Sequence, residues 1–203
     1  MNKSKISNKA GTGVVVVLSA PSGCGKTTIV DRLLGRNTDW VRSISATTRT
    51  PRFNEKNGED YFFMDEKAFA ELRQSGQLLE SAKVISHHYG TPKKFVADNV
   101  AQGKVVLLQI DVQGARKVRE SLDPKIPLLT VFVLPPSIKV LRERLEGRKT
   151  ETPEQIQARI EVAQEEIKEA GQYDKVVVNQ NLDHTVTEIE DLITDFIKER
   201  RTA

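Results

Sequence analysis

GVVVVLSAPSGCGKTT, residues 13 to 28, joins an apolar run to a glycine-rich turn. Its first half is β-branched and apolar without alternation, the signature of a strand buried on both faces. Its second half turns at Gly23 and Gly25, then presents Lys26 and Thr27 at the start of a helix-like segment. The template for a phosphate-cradling loop is Gly, four residues, Gly-Lys-Ser/Thr. Counting back from Lys26, the first glycine falls at residue 20, which is alanine. The chemistry asks for backbone N–H groups turned inward around phosphate oxygens at a helix N-terminus. Gly23 and Gly25 occupy the tightest part of that turn, while Ala20 ends the strand. On this reading Ala20, Pro21, Ser22, Gly23, Cys24, Gly25, Lys26, Thr27 and Thr28 enclose the phosphates of a nucleotide. Lys26 reaches the β and γ phosphates, and the Thr27 hydroxyl binds Mg2+. The competing reading is a plain glycine-rich turn, and the strand before it and the helix after it weigh against that. Cys24 lies near a helix N-terminus, which can lower a thiol pKa. The plainer account is a small residue that fits the loop.

Working outward, KVVLLQID (104–111) and PLLTVFVL (127–134) read as further buried strands, and KVVVN (175–179) as a shorter fourth. Helical patterns separate them at Lys26–Leu34, Val112–Ser121, Ser137–Leu145 and His184–Arg200. Buried strands joined by helices predict an α/β fold: three layers, a parallel sheet with helices on both faces. Two stretches break the rhythm. Residues 43–91 mix short alternating strands, a turn at Gly58 and a helix from Asp65 to Gln74, and read as an inserted subdomain. Residues 144–168 are heavily charged and read as a lid, with a solvated helical hairpin as the alternative. Thr91-Pro92 reads as an N-cap followed by proline at the first helical position, opening a helix that runs to Gly103.

The chain has 203 residues, 38% hydrophobic and 29% charged, enough for one well-buried core. A formal charge of +3 is too mild to argue for nucleic acid. The single cysteine excludes an internal disulfide and points to a reducing, cytoplasmic setting. Lys3, Lys5 and Lys9 ahead of Val14–Ala20 mimic an export signal, but the apolar run is short and is explained as a strand. No segment approaches the ~20 apolar residues of a membrane span. Residues 1–10 are polar and aperiodic, and read as a mobile tail.

The segment RSISATTRTPRFNEKNGEDYFF (42–63) places Arg49 and Arg52 around Pro51. A proline-stiffened turn with two guanidiniums suits a second phosphate, and Tyr61 adds a hydroxyl. Spacing alone is served equally by a surface loop with scattered arginines. A resemblance is more specific. APSGCGKT (20–27), SATTRTPR (45–52) and GEDY (58–61) resemble the guanylate kinase family. The likeness continues through Leu79-Glu80, HYGT (88–91), IDVQG (110–114), RLEGR (144–148) and VVN (177–179). It covers most of the chain from about residue 13, and members often carry alanine at the first loop position.

This resemblance implies a nucleoside monophosphate kinase with a core (11–42, 92–143, 169–203), a GMP-binding insertion (43–91) and an arginine-bearing lid (144–168). It implies Mg2+ and ATP as phosphoryl donor, GMP as acceptor, no nucleic-acid or membrane partner, and a monomer or homodimer. By analogy Arg49, Arg52, Tyr61 and Tyr89 hold the GMP phosphate. Ser45, Glu80, Thr91 and Asp111 surround the guanine, with Asp111 also near the metal beside Thr27. Lys26, Arg49, Arg144, Arg148 and Arg159 form the catalytic set, and Asn179 lies by the adenine. Chemistry supports Glu80 independently. Guanine offers two donors, N1–H and the 2-amino group, and a carboxylate accepts both, whereas adenine offers an acceptor at N1. One departure stands out. Many members have an acidic residue at the position of Gln109, which cannot supply a charge. A kinase for another phosphate ester, such as a ribose bisphosphate, would share the loop and arginines without Ser45, Glu80 and Thr91. A phosphopeptide-binding scaffold would typically lack the loop lysine and glycines.

Overall fold

Five parallel strands form the main sheet of this computed structural model, in the order β2 (Trp40–Arg42), β7 (Val105–Gln109), β1 (Val14–Ser19), β8 (Leu128–Leu134) and β9 (Lys175–Val178). The structure describes residues 13–84, 86–147 and 152–202, so the tail expected at 1–10 and Arg148 lie outside the described residues. β1 (Val14–Ser19) is central and every residue in it is buried. β7 (Val105–Gln109) flanks it in register Val14↔Val105, and β8 (Leu128–Leu134) flanks it in register Val15↔Leu128. This explains the unbroken apolar runs, since both faces of these strands are covered. On one face, α1 (Lys26–Arg36) and α7 (Leu182–Thr202) pack Ile29, Val30, Leu33, Val186, Ile189 and Ile193 against Val14, Val16 and Leu18. On the other, α3 (Lys93–Ala101) and α4 (Val112–Ser121) pack Val96, Val100, Ala115 and Val118 against Val15 and Val17. The three-layer α/β arrangement expected from the sequence is thus observed.

A second sheet, in the order β4-β3-β6-β5, is built from β3 (Ala46–Thr47), β4 (Phe62–Phe63), β5 (Leu78–Val84) and β6 (His87–Pro92). Its own small cluster is Ala46, Phe69 and Leu78, with Phe69 supplied by α2 (Glu66–Gln74). Asp65 caps α2 by accepting from Ala68 N at 2.7 Å. The sheet is joined to the core through β5. Leu79 enters the α4-side cluster, and Ser121 Oγ and Lys117 Nζ both donate at 2.5 Å, to Leu79 O and Ser81 O.

Two local expectations are corrected. Trp40–Arg42 is a fifth core strand, β2, paired with β7 in register Trp40↔Val105. It is a short, half-buried edge strand, so it carries neither an apolar run nor a clean alternation. Thr91 is not a helix cap. It lies in β6, α3 begins at Lys93 with Pro92 as its N-cap, and no side chain caps it. The Thr91 hydroxyl is bonded elsewhere, as described below. The charged segment after β8 forms α5 (Ile138–Glu146), capped by Ser137, and α6 (Pro153–Lys168), opened by a capping box between Thr152 and Gln155. Ile156, Ile160 and Ala163 of α6 are buried in the same cluster as β1 and α1.

Candidate functional site

The ends of β1 and β7 open onto the loop at residues 20–25, where the sheet's C-terminal edge meets the N-terminus of α1. Gly23 and Gly25 have φ of 96° and 83°, conformations that a side chain strains. Both are also crowded. A Cβ on Gly23 would sit 3.0 Å from Leu141 and Leu145, and one on Gly25 would sit 3.2 Å from Asn179 Nδ2. These are the two glycines of the motif, and position 20 has no such demand. Ala20 is buried at the strand's end.

Lys26 bends back into the loop. Its Nζ donates to Ile110 O at 3.2 Å and lies 3.5 Å from Ala20 O. Burial holds the ammonium below its ordinary pKa, opposed by Glu166 and then Asp111. Glu166 is an α6 residue that the sequence reading did not single out, and burial raises its carboxyl while Lys26 pulls it down. Arg159 lies two turns earlier on α6 and donates from Nη1 to Ser22 Oγ at 2.6 Å. The helix therefore lays an arginine and an acid along the loop. Burial pushes the Cys24 thiol up to about 12, so the nearby helix N-terminus does not activate it. Asn179 is buried directly beneath. Its Nδ2 donates to Cys24 O at 2.8 Å and its Oδ1 accepts from Thr185 at 3.2 Å. Arg144 Nη2 donates to Asn179 O at 3.1 Å, tying α5 to the same point. Arg148 lies outside the described residues.

Thr27 and Thr28 are exposed at the first turn of α1. Gln109 Nε2 donates to Thr27 Oγ1 at 2.7 Å. A hydroxyl oxygen has two lone pairs, so one stays available to a cation. Asp111 follows β7 and caps α4, its Oδ1 accepting from Gly114 N at 2.7 Å. Thr27 and Asp111 are both hard oxygen donors, the kind Mg2+ selects, and these residues fit that ion.

The same α4 terminus reaches the second sheet. A Cβ on Gly114 would stand 3.4 Å from both Asp111 Oδ1 and Glu80 Oε2, so the two carboxylates flank this glycine. Glu80 is only 8% exposed, and Thr91 Oγ1 donates to its Oε1 at 2.7 Å. Burial raises the Glu80 pKa, Thr91 pulls it back, and Asp111 pushes it up. Ser45 directly precedes β3, and its carbonyl accepts from Phe62 N at 2.9 Å.

Arg49 follows β3 and is largely shielded. Its guanidinium lies 5.4 Å from the Tyr61 ring centroid and 5.8 Å from that of Phe63, and Tyr61 packs edge-on to Tyr89 at 5.9 Å. Neighbouring Thr47 and Thr48 are stitched to His88 of β6, Thr47 Oγ1 to His88 O at 2.9 Å and His88 N to Thr48 Oγ1 at 3.0 Å. Arg52 is exposed nearby. Glu55, unremarked in the sequence, bonds Arg49 Nη2 at 2.8 Å. No local pattern marks that pair, because its meaning depends on a turn and a side-chain direction. The structure thus gathers Arg49, Tyr61 and Tyr89 at one place, and Glu80, Thr91 and Asp111 at another. The latter group runs on through Ile110 to Lys26.

Comparison with known proteins shows the family of the chain. The family model described as guanylate kinase matches residues 12–196. A guanylate kinase from Wolbachia sp. subsp. Brugia malayi is 48% identical over 181 residues, 89% of this chain and 92% of that protein. One from a Synechocystis species is 41% identical, covering 89% and 93%. The crystal structure of guanylate kinase from Anaplasma phagocytophilum superposes with a TM-score of 0.71 at 36% identity, covering 91% of this chain and 86% of that one. A gluconokinase from Sinorhizobium meliloti, at 17% identity and a TM-score of 0.53, shares the fold alone.

Proposed function

Because this chain belongs to the guanylate kinase family, we propose that its site transfers the γ-phosphoryl group of ATP to GMP, giving ADP and GDP, with dGMP as a second acceptor. The observation that carries this reading is the continuous line from Lys26 through Ile110 O and Asp111 to the buried Glu80–Thr91 pair. It runs from a phosphate loop to a carboxylate shielded from water. Guanine's N1–H and 2-amino group supply the two donors that such a carboxylate lacks, and adenine does not.

The residue roles follow from that line. Residues 20–28 hold the donor phosphates, with Lys26 swinging from Ile110 O to the β and γ oxygens. Asn179 serves the donor nucleotide through the loop it braces. Thr27 and Asp111 would hold Mg2+, which when bound neutralises the charge of the phosphates. Arg49, Arg52, Tyr61 and Tyr89 receive the GMP phosphate, and Ser45, Glu80, Thr91 and Asp111 surround the base. Residues 43–91 act as the acceptor-binding insertion and 144–168 as the lid. Arg144, Arg148 and Arg159 of that segment meet the transferring group, and Arg159 already touches the loop at Ser22. The GMP phosphate oxygen attacks in line, so no protein nucleophile is needed and catalysis is positioning and charge stabilisation. Excluding water keeps the donor from simple hydrolysis. The chemistry suits a cytoplasmic nucleotide pool.

The test is an acceptor panel. Purified protein is incubated with Mg-ATP and, separately, GMP, dGMP, AMP, CMP, UMP or ribose 1,5-bisphosphate, and the products are separated by chromatography. Equal ADP and GDP from GMP, with none from AMP, is expected. Product from AMP or the bisphosphate in preference to GMP would overturn the assignment of Glu80.

A further inference from the structure

Arg49 is already engaged by a carboxylate. Glu55 Oε1 accepts from Arg49 Nη2 at 2.8 Å, and Glu55 Oε2 accepts from the backbone N–H of Arg52, also at 2.8 Å. The two oxygens therefore answer two donors of one short segment, as two oxygens of a phosphate would. The second terminal nitrogen of Arg49 is also bonded, Nη1 donating to Thr50 O at 2.9 Å. The ion pair is largely shielded, with side-chain exposures of 13% for Arg49 and 18% for Glu55. The Glu55 bond is the foremost cause raising the Arg49 pKa, and the Arg49 bond is the foremost cause lowering that of Glu55. The carboxylate is one of two ties across this turn. The turn is also closed by Glu55 N donating to Arg52 O at 3.0 Å, a backbone bond that departure of the carboxylate leaves in place.

This arrangement conflicts with a phosphate on Arg49. A dianion placed beside a fixed carboxylate is repelled, and one N–H on each of Nη1 and Nη2 is already committed. Resting on the acceptor-phosphate role given to Arg49 above, we propose that Glu55 is a specificity-determining residue of the acceptor site. It is a resident anion that the incoming phosphate exchanges for. The exchange keeps Arg49 in its aromatic seat against Tyr61 and Phe63 while the site is empty. It also sets a threshold that a doubly charged phosphate passes and a weaker anion does not.

The experiment is calorimetric and uses no ATP. GMP, inorganic phosphate and guanosine are titrated into the wild-type protein, Glu55→Gln, Glu55→Ala and Arg49→Ala. Glutamine keeps an acceptor for Arg52 N–H but removes the charge. Glu55→Gln is expected to bind GMP and inorganic phosphate about two- to tenfold more tightly, with guanosine unchanged. Unchanged or weaker GMP binding in both Glu55 variants would overturn the proposal and leave Glu55 a scaffold. The Arg49→Ala arm is separate: undiminished GMP binding there would overturn the acceptor-phosphate site itself. A crystal structure of the wild-type protein with GMP gives a check free of variants. Glu55 is expected to have left Arg49 Nη2, and a persisting bond between them refutes exchange.

Discussion

Glu80 is a buried acid held by neutral donors of Thr91, its hydroxyl and its backbone N–H. Its two oxygens have room for more hydrogen bonds than Thr91 supplies, and burial lifts its pKa because the charged form has lost water. GMP restores what burial removed, since N1–H and the 2-amino group favour the ionised form. A protonated carboxyl is itself a donor and meets those two donors badly. The sign follows. With the pKa raised, protonation begins at a higher pH than for an ordinary glutamate, and GMP binding weakens as pH falls through that range. KM for GMP is expected to rise more steeply at mildly acidic pH in the wild type than in Glu80→Gln, whose KM is high throughout and keeps only the limb of the GMP phosphate itself. An equal acid limb in Glu80→Gln would show that another group is titrating. Cys24 makes the opposite point about buried groups. With its thiol pushed up to about 12, it carries almost no thiolate near neutrality. The protonated thiol's contribution to stability is complete below the unfolded pKa of about 8.5. It is lost as pH rises through the folded value. Maleimide is therefore expected to leave the native protein unlabelled at pH 8 and to add one mass increment in urea. Rapid native labelling would mean that the loop opens.

At the scale of elements, the phosphate loop is held from below by its neighbours. Asn179 follows β9 (Lys175–Val178) and bonds the loop at Cys24 O and α7 at Thr185. Arg144 of α5 closes onto its carbonyl. Removing the amide leaves Cys24 O and the Thr185 hydroxyl buried without those partners, at a cost of about 1–3 kcal/mol. Asn179→Ala is expected to lower the urea midpoint accordingly and to raise KM for ATP while that for GMP stays near normal. Equal loss for both substrates would show general loosening rather than loss of the loop's brace. None of this bracing is visible in sequence, because Asn179 and Cys24 stand 155 positions apart. What sequence does expose is local. β1, β7 and β8 announce themselves because a strand covered on both faces must be apolar throughout. The loop announces itself because left-handed backbone demands glycine at 23 and 25. β2 does not, since a three-residue edge strand has no pattern to show. Thr91-Pro92 misleads, since a threonine before a helix is a cap only if its hydroxyl is not already spent on Glu80. Glu80 itself emerged through family resemblance and the chemistry of guanine. Glu55, Glu166 and the Gln109–Thr27 contact emerged only when the elements were assembled.

At the scale of the whole molecule, the two sheets meet where the base is assigned. Glu80 belongs to the second sheet and Asp111 and Gly114 to the core, and both carboxylates lie beside Gly114. Beside it, β5 packs against α4 through Leu79, Ser81, Lys117 and Ser121, and Phe62 of β4 packs edge-on to Phe95 of α3 at 6.3 Å. A ligand gripping both sides therefore adds a further tie between the second sheet and the core. GMP should stabilise the entire fold by mass action, since it binds only when both sides are formed. At a concentration one hundred times its Kd, the gain is about 2.7 kcal/mol. For a chain of this size that corresponds to roughly 5–10 °C in Tm. Glu80→Gln should abolish most of that shift while leaving the shift caused by ATP intact, because the phosphate loop lies wholly within the core. Thermal melts of both proteins, with each nucleotide alone, decide the matter. If Glu80→Gln kept the full GMP shift, the base would be held by the second sheet or the core alone, and the junction would be only a mechanical seam. If it lost the ATP shift as well, the line from Lys26 to Glu80 would be a single cooperative unit rather than two sites placed end to end.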